Sequence, residues 1–103
     1  MEQAVKPPAP ADVNRHLARA RFRAVLAARA GLSGERAAAV VELLALRDAT
    51  HDDRRCCLEC ARLSPRSHRC QVAVAGRMRG VSTRYEPVPD LLGRCEFFKW
   101  SMP

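Results

Sequence analysis

The chain has 103 residues, a net charge of +7 and only 5% aromatic side chains, which bounds it to one small core or a small domain with an appendage. Its apolar fraction leans on alanine, a side chain that buries little area and adds little hydrophobic stabilisation. Glu42 interrupts the best candidate for a membrane span, 37–46, and no apolar run follows the basic residue near the N-terminus, so neither a span nor a signal peptide is expected. The expected location is the cytoplasm, where thiols stay reduced and clustered cysteines bind metal more often than they form disulfides.

Residues 1–11 form the first segment. Lys6-Pro7-Pro8-Ala9-Pro10 forbids a helix and favours an extended, flexible arm. Asp12 then reads as the N-cap of a first helix ending before Gly31. On a 3.6-residue period Ala18, Phe22, Val25 and Leu26 fall together, beside a stripe of Arg15, Arg19 and Arg23, which is either a solvated face or a phosphate-facing ridge. Gly31 takes the C′ position, Ser33 the next N-cap, and a second helix spans about Gly34 to Ala49 with Ala37, Val40, Val41 and Leu44 on one side. A helix-turn-helix reader would begin its recognition helix with Ser33, Gly34, Glu35, Ala38 and Ala39. Those side chains offer little to base edges, so residues 12–49 are expected to be a packing helical hairpin.

From Arg47 to Arg55 the chain is charged and without periodicity, which predicts a linker into a module over residues 50–103. Lys and Arg outnumber Asp and Glu by only 8 to 7 in residues 1–53, but by 10 to 4 in residues 54–103. The basic excess therefore belongs to the cysteine half. There, 71–75 alternates weakly as a short strand, Gly76 and Gly80 bracket a basic turn, and 81–85 reads as a second extended stretch. Asp90-Leu91-Leu92 reads as a brief helical turn delivering Cys95.

The spacing Cys57-x2-Cys60-x9-Cys70-x24-Cys95 places two sulfurs on one tight turn and brings two more from a distance, as a structural metal site does. Zn2+ suits such a donor set, and a [4Fe-4S] cluster is the alternative, since four thiolates at irregular spacing also hold clusters. Cys56 is left as a plain thiol or as a substitute for Cys57. His51 and His68 read as exposed or supporting groups, and Asp52 and Asp53 as part of a mixed-charge linker. No nucleophile–base constellation or phosphate-binding glycine loop is present in the sequence, so no enzymatic activity is expected. The fold expected is small α+β: an N-terminal helical hairpin and a metal-stapled four-cysteine module with a short β-hairpin.

Arg66, Arg69, Arg77, Arg79 and Arg84, with Arg62, Arg94 and Lys99 and the aromatics Tyr85, Phe97, Phe98 and Trp100 interleaved, have the composition of a nucleic-acid surface. The same aromatics would equally serve as a core around the metal, leaving the arginines as solubilising charge.

Asp52-Asp53-Arg54-Arg55 running into Cys57-Leu58-Glu59-Cys60-Ala61-Arg62-Leu63, then Arg69-Cys70 and Arg94-Cys95-Glu96-Phe97, resembles a group of small uncharacterised four-cysteine proteins of bacterial phages, plasmids and integrated elements. The resemblance covers roughly residues 30–98. It implies a metal-binding module for mobile-element replication or regulation, with Cys57, Cys60, Cys70 and Cys95 as ligands and Cys56 outside the pattern. A fainter similarity runs to the small cluster-binding subunits of glycyl-radical enzymes, which also end on Cys-x2-Phe. The function expected is an adaptor or accessory protein binding nucleic acid or an acidic protein partner; a cluster-binding accessory subunit or a small inhibitor or antitoxin-like factor are the other readings.

Overall fold

The computed structural model describes residues 10–101; most of the proline-rich arm, residues 1–9, lies outside them. Two helices carry the first half, α1 over Pro10–Arg29 and α2 over Gly34–Ala49. The first helix begins two residues before Asp12, with Pro10 in its first turn, where the missing N–H costs nothing. Asp12 therefore lies inside the helix and is not its N-cap. Ser33 does hold the N-cap position of α2 in an extended conformation, without a capping bond from its side chain.

The turn between the helices is a Schellman motif. The Leu32 N–H donates to the Ala27 carbonyl at 2.9 Å and the Gly31 N–H to that of Ala28 at 3.1 Å, while Gly31 takes the left-handed φ of 86° that glycine adopts freely. Leu32 is then delivered into the core.

That core is built from both halves of the chain. Leu26, Ala27, Leu32, Val40 and Leu44 of the hairpin are buried with Cys56 and Leu58 of the cysteine segment, each Leu stabilising by about 2 kcal/mol on burial. On α1 the buried stripe is Arg23, Leu26 and Ala27, and Val25 and Ala18 point outward, so the inward face is rotated from the one expected. On α2 the expected Val40 and Leu44 are buried and the stripe continues to Arg47. Arg47 and Asp48 thus belong to the helix, not to a linker.

The sheet is a two-stranded antiparallel ribbon, β1 (Arg55–Cys56) paired with β2 (Leu92–Gly93) in the register Arg55↔Gly93. Neither strand lies where sequence alternation suggested. Residues 71–75 instead start a short helix, α3 (Gln71–Val74), with Val72 and Ala73 buried side by side, where the alternation expected of a half-buried strand would bury only one of the two. Residues 81–85 form turns, and Leu92 is in the strand and not in a helical turn. The fold is small α+β, a helical hairpin plus a two-stranded sheet.

Candidate metal centre and basic face

The 3₁₀ turn Cys57–Glu59 follows β1 directly, and the Cys60 N–H closes it onto the Cys57 carbonyl at 3.0 Å. The Arg62 N–H then donates to Cys60 Sγ at 3.4 Å. Cys70 is brought in by a bridge with Leu63 and by its own N–H on the Tyr85 carbonyl at 3.4 Å. Cys95 follows β2. Cys57, Cys70 and Cys95 line one groove of about 320 Å³. The Cys57 thiol is pushed up to about 11, first by burial and then by the negative charges that Cys60, Cys95 and Cys70 would carry.

The four sequence-picked sulfurs therefore share one neighbourhood. Among the described residues, however, no three Cys, His, Asp or Glu side chains stand close enough together to hold a single metal ion. The donor set fits a soft metal chemically: Cys57, Cys60 and Cys70 are half-buried and Cys95 is exposed, and neighbouring thiolates that would repel one another are what a bound dication neutralises.

Cys56 stands apart from this set. It is fully buried, its Sγ donates to the Pro89 carbonyl, and burial pushes its thiol up to about 12. His68 is also engaged elsewhere, with Nε2 3.0 Å from the Arg29 carbonyl at the end of α1, and His51 is exposed in the turn after α2. Asp52 and Asp53 are not a paired acid–base couple. Asp52 accepts from Arg54, which lowers its carboxyl to about 2, and Asp53 accepts from Arg94 at 2.7 Å.

Glu59, inside the Cys57–Cys60 knuckle, is the functional-looking residue that sequence reasoning passed over. It has no solvent exposure. Its carboxylate accepts from Arg47 through both oxygens and from Arg23 Nε at 3.2 Å, while Asp48 accepts from Arg23 at 2.6 Å and from Arg47 at 3.0 Å. The two buried guanidiniums, Arg23 and Arg47, are thus matched by the carboxylates of Glu59 and Asp48, with Arg19 joining Asp48 from the surface at 3.6 Å. Arg23 is accordingly neither a solvated residue nor part of a phosphate-facing ridge. The available signal was its place, with Arg47, at helical spacing from the buried Leu26 and Leu44.

Of the basic residues, Arg66, Arg77, Arg79 and Arg84 are exposed and Arg69 is half-buried, its Nε enclosed without a partner among the described residues. They lie on the two loops that flank Cys70, 61–69 and 76–85. Tyr85 and Trp100 remain 41% and 44% exposed, so the aromatics are only partly consumed as a core. No described helix is long and apolar enough to cross a membrane. No protein-family model, curated protein or solved structure matches the chain.

Proposed function

We propose that the chain is a non-enzymatic metal-binding adaptor whose basic cysteine half engages nucleic acid or an acidic replication or regulatory partner in the cytoplasm. Cys57, Cys60, Cys70 and Cys95 would hold the metal, Zn2+, which would fix the two loops carrying the arginines. The observation that carries this is the groove that Cys57, Cys70 and Cys95 line together, with Cys60 near enough to act electrostatically on the Cys57 thiol. The resemblance to four-cysteine proteins of mobile elements supports the same assignment and suggests that setting.

A [4Fe-4S] cluster is the second reading, favoured by the groove that Cys57, Cys70 and Cys95 line, which leaves room for more than one metal atom. Elemental analysis and absorbance of anaerobically purified protein decide between them. One zinc per chain without colour supports the first reading, and iron with a broad band at roughly 400 nm supports the second, since d¹⁰ zinc has no such transition. Protein that folds with neither metal sinks both.

A further inference from the structure

We infer that the groove beside the cysteines, with the exposed arginines of the 76–85 loop next to it in sequence, seats single-stranded nucleic acid; this deepens the basic-face reading above and rests on it. Loop 76–85 sorts its side chains in a way that matches such a ligand. Met78 and Tyr85 line the groove. Their sequence neighbours Arg77, Arg79 and Arg84 are exposed and have no acidic partner among the described residues, whereas Arg19, Arg23, Arg36, Arg47, Arg54 and Arg94 each pair with a carboxylate.

The groove continues past Tyr85 to Phe98, Leu91 and Arg55. Phe98 meets Trp100 edge-on with ring centroids 4.9 Å apart, and the Arg55 guanidinium covers Trp100 at 4.7 Å, so this end is a fixed wall. Tyr85 has no ring partner among the described residues, lines the groove and is 41% exposed.

A single strand places phosphates against the free guanidiniums and turns bases toward Tyr85 and the apolar floor. A duplex keeps its base faces in the stack and meets only the loop's guanidiniums. An acidic peptide supplies the charge but no flat partner for the ring.

Anisotropy titrations of the full, metal-loaded chain with a labelled oligothymidine, a duplex of equal length and a glutamate-rich peptide test this. The single strand is expected to bind at least about tenfold more tightly than either competitor, and its affinity to fall steeply with salt. Tyr85→Leu, which keeps the groove covered, is expected to weaken the single strand by about tenfold and leave the duplex unchanged. Arg79→Gln is expected to weaken both and flatten the salt dependence. Equal or tighter binding of duplex or peptide overturns the inference, as does an unaffected Tyr85→Leu variant. The comparison made on the unmodified chain decides the matter if that variant fails to fold. No binding to any of the three at low salt removes the basic-face reading itself.

Discussion

Glu59 shows how one side chain joins the putting together of a site to the packing of a fold. Its backbone belongs to the cysteine knuckle, its carbonyl accepts from the Ser101 N–H at 2.9 Å and from the Ser101 hydroxyl at 2.8 Å, and its carboxylate reaches Arg23 and Arg47 on the two helices. Glu59→Gln keeps the shape but leaves two buried guanidiniums facing one carboxylate. We expect a loss of about 3–5 kcal/mol in urea unfolding, a large part of what a small domain has. Cys56 and Cys57, adjacent in sequence, should separate cleanly: Cys56→Ala leaves the metal content unchanged, and Cys57→Ser lowers it, by elemental analysis. Asp48 gives a pH signature. Burial raises its carboxyl, but the bonds from Arg23 and Arg47 outweigh burial and hold it below its ordinary 3.8. A depressed folded value means stability that is present above the unfolded value and lost as pH falls through the folded one. The melting-temperature difference between the natural chain and Asp48→Asn should therefore hold steady down to about pH 4 and vanish below it.

Among the elements, the two helix ends solve the same problem with different residues. After α2 the Asp52 N–H donates to the Arg47 carbonyl at 3.0 Å and the His51 N–H to that of Asp48 at 3.2 Å, repeating the Schellman pattern seen after α1. Here the left-handed position is filled by His51, at φ 55°, where a Cβ costs about 1–2 kcal/mol. His51→Gly removes that strain, and glycine's extra freedom in the unfolded chain offsets part of the gain. A net stabilisation of about 0.5–1 kcal/mol should appear as a higher urea midpoint. Gly31 made the first of these stops legible in the sequence, and the boundaries 29 and 34 follow from it. The second was hidden because Thr50-His51 carries no glycine signal. The ribbon was equally hidden: a two-residue strand has no period to read, and its partner lies 36 residues away in sequence. The cysteine spacing was legible because two cysteines on one turn are a local pattern. The Arg23–Arg47–Glu59 network was not, because a charged residue is exposed by default and its burial depends on a partner from another segment.

For the whole molecule, the sequence suggests a hairpin and a cysteine module meeting near residue 50, while the contacts run across that point. Leu58 and Cys56 sit in the same core as Leu26 and Leu44, Arg36 on α2 grips Asp90 through both carboxylate oxygens at 2.7 and 2.8 Å, and Arg47 lies 5.6 Å from the centre of the Trp100 ring. A core this small cannot be divided and still support two independent folding units. Unfolding should then be a single event, and the chain carries one reporter for each side of the boundary. Far-UV circular dichroism follows α1 and α2, and the fluorescence of Trp100, the only tryptophan, follows the cysteine half. In urea the two signals should trace one transition with a common midpoint. If the proposed metal is bound, stripping it with a chelator should lower both midpoints together, since a ligand held only by the folded state stabilises whatever unfolds with its site. If the fluorescence midpoint falls and the helical signal stays in place, the hairpin stands alone and residues 12–49 are a domain in their own right.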